Sequence, residues 1–297
     1  MTDLSEDRGT ILSWLSTLDM DKELQKNLCK RVEGTGEWIL QTLEFKKWAL
    51  AESQSRMLWC HGHEGSGLTT MFSVVVDHFL RTFTSPESAL AYLYCDYEGF
   101  EQSHYTALML LSSICRQLAE RSNELPPYLV KLYRQRPPNG EQFGIDEVTH
   151  LLVLLCGTFN KICICIDSLG ALRESETSIL LSKLKWMSNH GALIFLTNCT
   201  HGDLPEACGC HKKIIRAFED ENKLLIRAKD EDIGAFVWQT LRNHTDKDEL
   251  DLKNGEAVTI VNEIVADSGG MFPVARCKLG KEIRRRKKWR LEIEALL

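Results

Sequence analysis

The chain lacks a long apolar run, and its first twenty residues carry Asp3, Glu6, Asp7 and Arg8 with no continuous apolar stretch between them. Neither a signal peptide nor a membrane span is therefore expected, and the expected location is cytoplasmic. The eleven cysteines follow no framework spacing. Cys60, Cys95, Cys163 and Cys165 sit inside apolar runs, as small buried hydrophobes of a reducing compartment do. No internal repeat is present, which excludes a solenoid or propeller. Serine or cysteine hydrolase chemistry finds no support, because His61, His63, His78 and His104 are not tied to a nucleophile elbow. What remains is 297 residues, 43% hydrophobic, enough for one large or two modest packed domains.

The net charge of −6 is unevenly spread. The segment from Arg276 to Leu297 carries nine basic and three acidic residues, so the rest of the chain is acidic. A solvated basic helix docked on an acidic body is the plainer reading of Lys281 to Arg290. Contact with nucleic acid or acidic lipid is the alternative, and the less expected one.

The most informative stretch runs from Met57 to Thr70, an apolar run opening into a glycine-rich turn and then into a helical pattern. It has the layout G-x-x-x-x-G-K-[ST], in which backbone N–H groups curl around phosphate oxygens, a lysine meets the terminal phosphates and a hydroxyl helps hold magnesium. Gly62, Gly67 and Thr69 fall in register, but the lysine position is Leu68. Farther on, Ile162 to Ile166 is a continuous apolar run ending in Asp167. A carboxylate at the tip of a buried strand is the usual second holder of magnesium in nucleotide-binding sheets. The expected nucleotide contacts are Gly62, Gly65, Ser66, Gly67, Leu68, Thr69, Thr70 and Asp167, with Thr69 and Asp167 on magnesium. The expected cofactor is ATP/ADP or GTP/GDP.

Apolar runs predict strands at 57–61, 89–94, 162–167, 192–197 and 223–226. Helical periodicity predicts helices near 70–83, 105–119, 145–156 and 177–189, with an exposed loop over 137–144. Alternation at this spacing predicts a P-loop NTPase-type α/β fold, a parallel five-stranded sheet with helices on both faces. Before it, residues 1–50 read as a helical lead-in, a helix pair broken near Asp19 followed by a turn at Gly34 to Trp38 and a further helix. After residue 228 only helical patterns follow, at 232–241, 257–266 and 272 to the end, so 51–228 is the expected α/β domain and 229–297 a small helical one. Cys199, His201, Cys208, Cys210 and His211 are soft ligands in a stretch without helical or strand period. The spacing is cramped for a zinc site and free loop cysteines are expected instead.

At these residues the chain resembles the NACHT-type NTPase module of fungal signalling proteins, in its nephrocystin-3-like version, a STAND-class P-loop module. The resemblance rests on Gly34-Thr35-Gly36-Glu37-Trp38 with Phe45 and Trp48, the loop from Gly62 to Thr70, Tyr92 to Tyr97, the strand ending in Asp167, and Ser268-Gly269-Gly270-Met271-Phe272. It implies a nucleotide-dependent signalling switch with protein partners, self-association among them. Three departures bear on chemistry. The family usually reads G-K-[ST] where this chain has Gly67-Leu68-Thr69, D-A-L-D-E where it has Asp167-Ser168-Leu169-Gly170-Ala171, and T-S-R where it has Thr197-Asn198-Cys199. Hydrolysis needs a carboxylate that orients water and cations on the developing phosphate charge. The expectation is therefore a pseudo-enzyme, a regulatory or protein-interaction scaffold whose nucleotide binding is weak or lost. A working switch with an unorthodox loop is the alternative.

Overall fold

The computed structural model describes residues 4–53, 55–96, 105–136, 144–200, 209–218, 222–245 and 254–294. Its centre is a sheet of five parallel strands, β1 (Met57–Gly62), β2 (Ser88–Tyr94), β3 (Lys161–Asp167), β4 (Leu193–Cys199) and β5 (Asn222–Leu225), in the order β2-β3-β4-β1-β5. The register brings Tyr94 opposite Asp167, Asp167 opposite Thr197, and Gly62 opposite Cys199. The carboxyl ends of the four longer strands therefore share one rim, where ligands bind in sheets of this kind. The expected fold class is observed.

Helices cover the sheet because its strands are apolar on both sides. The helix α4 (Leu68–Thr82) packs on β1 to β4, with α2 (Met20–Lys30) beside it and α3 (Leu43–Ala49) against β1 and β5. The layer is aromatic. Trp48 and Phe72 both pack on Phe195, and Phe72 meets Tyr94 edge-on at 5.0 Å. Each such buried ring contributes roughly 1.5–3 kcal/mol by burial alone. A second layer holds α5 (Ala107–Arg121) on β2, with α7 (Ile145–Cys156) and α8 (Glu174–Asn189) packed against it. The first helix, α1 (Leu4–Leu15), rests on α5. Its Ile11, Leu12 and Leu15 belong to the same hydrophobic cluster as the sheet.

Two helices lie where the sequence reading assigns none. One is α6 (Pro127–Gln135), started by a proline at its first turn, where the missing N–H costs nothing. The other is α9 (Gly209–Ala217), and it corrects the expectation of a stretch without helical period after the fourth strand. Ile214 anchors it and Phe218 follows it into the core, where that ring lies 5.7 Å from Trp59. The side chains of His201, Cys208, Cys210 and His211 lie outside the described residues, as does the loop over 137–143.

The last three helices, α10 (Asp230–Thr245), α11 (Asn254–Ser268) and α12 (Phe272–Glu294), have a hydrophobic cluster of their own, built on Ile233, Val237, Leu241, Ile260, Leu279 and their neighbours. The basic face of α12 is partly answered within this group. Arg286 pairs with Glu256 of α11 at 3.5 Å and with Glu282, and Lys278 pairs with Asp267. Side chains from Lys287 onward are outside the described residues. Among the described residues no helix is long and apolar enough to cross a membrane.

Candidate functional site

The rim of the sheet and the start of α4 form a phosphate-loop geometry. β1 ends at Gly62, where any side chain would run into the carbonyl oxygen of Ile226 and lie 2.9 Å from Ser66 Oγ. The chain then turns, with Ser66 N–H donating to the His63 carbonyl at 3.1 Å. It passes through Gly65 at φ +79° and Gly67 at φ +92°. Both lie in the left-handed region that glycine enters freely. α4 starts at once with Leu68, so the first N–H groups of a fifteen-residue helix face the turn without intrahelical acceptors. Ser66 Oγ is buried inside this turn, with no hydrogen-bond partner among the described residues.

Asp167 and Thr69, expected on one magnesium ion, lie within hydrogen-bond distance of each other. Thr69 Oγ1 donates to Asp167 Oδ2 at 3.0 Å, Ser168 Oγ donates to the same oxygen at 3.2 Å, and the Thr197 hydroxyl donates to Oδ1. The carboxyl group is only 2% exposed. Burial pushes its pKa up to about 6, against the three hydroxyl donors, which pull it down, while the Asp96 carboxylate adds a smaller upward push. Both side chains offer oxygens of the hard type magnesium takes, an ion that usually needs only one or two from a protein.

The positions where the resemblance leads one to look for charge are apolar or neutral and packed accordingly. Leu68 is 6% exposed. Gly170 N–H donates to Asn198 Oδ1 at 2.7 Å, and Asn198 Nδ2 donates to the Cys199 carbonyl at 2.8 Å. A Cβ on Gly170 would stand 2.6 Å from Asn198 Oδ1. The two residues are thus fitted to each other, the amide of Asn198 filling the space a carboxylate at 170 would need. Ser168 sits in the left-handed region at φ +57°, a conformation that costs a non-glycine residue on the order of 1 kcal/mol. It leads directly into the short 3-10 turn Leu169–Ala171.

A cavity of about 880 Å³ opens over the loop. Its walls are Gly65 and Gly67 to Thr70 on one side, Ser168, Gly170, Ala171 and Asn198 at the rim, Lys30, Arg31, Val32 and Thr35 at and beyond the end of α2, and α10 and α12 opposite. Of the expected contact residues, Gly65, Gly67, Leu68, Thr69 and Thr70 line it, while Gly62, Ser66 and Asp167 lie immediately behind these.

The sequence reading gave no role to the start of α12, and the structure sets it on the loop. Phe272 N–H donates to the Gly65 carbonyl at 3.1 Å. The Pro273 ring occupies the space a Cβ on Gly65 would fill, and the Phe272 ring lies 3.3 Å from that of Gly67. Both glycines are therefore required twice, for their turn and for this contact. The signal was present in Ser268 to Phe272, whose Gly269 and Gly270 take positive φ to end α11, but only the fold shows what the turn delivers. A second tie was also invisible in one dimension. Asp232 of α10 accepts from Gly36 N–H at 3.2 Å and from Trp38 Nε1 at 3.0 Å, and Lys229 Nζ lies 4.6 Å over the Trp38 ring.

The cysteines inside the sheet are buried, and burial raises the thiols of Cys60, Cys95 and Cys165 far above their ordinary range. Cys199, at the cavity rim, is raised to about 11, chiefly by burial. Such thiols are poor nucleophiles and metal ligands. His61 stacks on Trp59 at 4.6 Å, and His78 packs edge-on to Phe45 and Phe79.

A comparison with curated protein sequences gave no match. Among solved structures, the ORC1 protein of Aeropyrum pernix in complex with DNA is similar at 14% identity and a TM-score of 0.50, over 87% of this chain and 62% of that one. PCH-2 of C. elegans is similar at 11% identity and a TM-score of 0.48, over 91% of this chain and 72% of that one. A DNA replication initiation factor is similar at 11% identity and 0.48, over 88% and 64%. The chain spans less than two thirds of the ORC1 protein and of the initiation factor, and identities this low speak to fold alone. The family model described as nephrocystin 3, N-terminal, matches residues 34–197, more than half of the chain. That match begins at the turn held by Asp232 and ends on the threonine that donates to Asp167, so it takes in the glycine-rich loop, Thr69 and Asp167, and the chain belongs to the nephrocystin 3 N-terminal family.

Proposed function

We propose that the chain is a regulatory nucleotide-binding module that holds a nucleoside di- or triphosphate weakly, does not hydrolyse it, and acts through protein contacts rather than turnover. The observation that carries this reading is the contrast within one cavity. The backbone half suits a phosphate, with the first N–H groups of α4 lacking intrahelical acceptors, a buried hydroxyl at Ser66 without a partner among the described residues, and the Thr69–Asp167 oxygen pair. The charged half is missing at Leu68, Gly170, Ala171 and Cys199. Backbone N–H groups and the helix dipole suffice to attract phosphate. A lost charged hydrogen bond costs about 1.5–3 kcal/mol, roughly ten- to a hundredfold in affinity. If magnesium accompanies the nucleotide, Thr69 and Asp167 would hold it and it would neutralise phosphate charge. Turnover requires more, since cationic stabilisation alone can be worth roughly 10³–10⁵ in rate, and neither Gly170 nor Ala171 can orient water. Action through protein contacts follows from the family resemblance.

Thermal melting with ATP, ADP, GTP or GDP and magnesium tests the binding half. Ligand at a hundred times its dissociation constant stabilises by about 2.7 kcal/mol, so a shift with at least one nucleotide is expected at millimolar concentration, and none with any would overturn it. Phosphate release at background level is expected from the purified chain. Magnesium-dependent release that disappears in Asp167→Ala would overturn the non-hydrolytic half.

A further inference from the structure

The cavity that has lost the charge of the loop lysine still contains cations, and they lie on other elements. Lys30, Arg31 and Arg276 line it, facing Glu64, Asp96 and Asp232. Those three carboxylates make the cavity a poor host for phosphates unless a cation stands close to the loop. Arg31 is committed elsewhere, donating to the Thr35 carbonyl at 2.9 Å and pairing with Glu37 at 3.3 Å. Lys30 stands at the end of α2, among the residues of the wall beyond the loop. Arg276 differs from Lys30 in place and from Arg31 in commitment. It lies four residues after Phe272 and three after Pro273, the two residues seated on Gly67 and Gly65. On a helix those spacings share one face. Its guanidinium rests 5.8 Å from the Phe236 ring centroid, with no ion pair among the described residues, and both side chains border the cavity.

We propose that Arg276 supplies the phosphate-binding charge that position 68 has lost, so that the site is completed from α12 rather than from the loop. The inference rests on the nucleotide-binding reading and adds to it a residue and a consequence. A guanidinium presents a planar fork that can hold two phosphate oxygens at once, and it is weakly hydrated enough to leave an aromatic face for an anion. Because the cation rides on α12, phosphate occupancy and the seating of α12 on Gly65 and Gly67 become one event. A nucleotide bound here ties the C-terminal helices to the loop, and loosening those helices weakens the nucleotide.

The test is calorimetric titration of the full chain with ADP, ATP and adenosine in the presence of magnesium. Arg276 is exposed, so Arg276→Ala is expected to fold normally. Its affinity for ADP and ATP should fall about ten- to thirtyfold with adenosine unchanged, as expected for loss of one charged phosphate contact. Arg276→Lys should recover part of the loss. Leu68→Lys placed in the Arg276→Ala chain should recover most of it, since it returns a cation to the loop. If the unaltered chain binds none of ADP, ATP, GDP and GTP, the nucleotide reading itself falls, and this inference with it. If the unaltered chain binds and Arg276→Ala binds equally well, or if the loss appears in Lys30→Ala instead, only the assignment of Arg276 is overturned.

Discussion

Asp167 is a buried carboxyl whose protonation is coupled to folding. Its pKa in the folded chain is raised from 3.8 to about 6 by burial, so the folded state binds a proton more tightly than the unfolded chain does. The sign follows directly. Between those two values the native state holds more protons than the unfolded one, and stability falls as pH rises through this window. Above it the ionised, buried carboxylate costs on the order of 3 kcal/mol. Melting temperature should therefore drop between pH 4 and pH 7, and Asp167→Asn should flatten that slope and be as stable as the parent chain, or more so, at pH 7. An unchanged slope in Asp167→Asn would show that some other group sets it. Magnesium nucleotide, by placing a cation beside the carboxylate, should release about half a proton per binding event from this group near pH 6, where it is half protonated.

Gly170 and Asn198 give the second residue-scale expectation. Gly170→Asp should not restore catalysis and should cost about 1–3 kcal/mol, because its Cβ meets a buried amide that is hydrogen-bonded on both sides. Asn198→Ala in the same chain should return part of that stability by vacating the space. Chemical denaturation of the two variants and the double variant measures the coupling as a cycle. Additive effects would mean that the pair is not fitted as described.

At the scale of elements, β1 to β4 are runs of mostly apolar, buried residues, while the edge strand β5 alternates half-buried and exposed positions, and the order of runs and amphipathic stretches alone implies a parallel sheet. Those elements were legible because burial on both faces demands continuous apolarity, as in Ile162 to Ile166, which is buried throughout. Short helices such as α6 and α9 are harder to read. Nine residues give little more than two turns, and each is stabilised by its few core contacts, Leu129 and Leu132 for α6 and Ile214 for α9, rather than by propensity. The tie between elements far apart in sequence yields its own expectation. Asp232→Ala removes the acceptor for Gly36 N–H and Trp38 Nε1, leaving two donors without their partner at a part-buried site. Hydrogen exchange should then speed up at Gly36 and in α10, with a stability loss of about 1–3 kcal/mol. Unaltered exchange in α10 would mean that Asp232 does not hold it.

Over the whole molecule, α1 to α9 share one hydrophobic cluster with the sheet, whereas α10 to α12 are built on another. The two groups meet at polar and aromatic contacts, the Asp232 clamp and the seat of Phe272 and Pro273 on the loop, and the cavity lies where they meet. The sequence by itself determined the parallel α/β sheet, the phosphate loop with its missing lysine, and the carboxylate of Asp167 at the tip of a buried apolar strand. Each of these is written in residues near one another or in a motif whose geometry is local. Only the tertiary structure decided that α12 closes the loop, that Asn198 occupies the space beside Gly170, and that cations from α2 and α12 border the cavity. Those contacts join segments from about 30 to 200 residues apart, and no local period or spacing encodes them, because they depend on where separate helices come to rest on the same sheet.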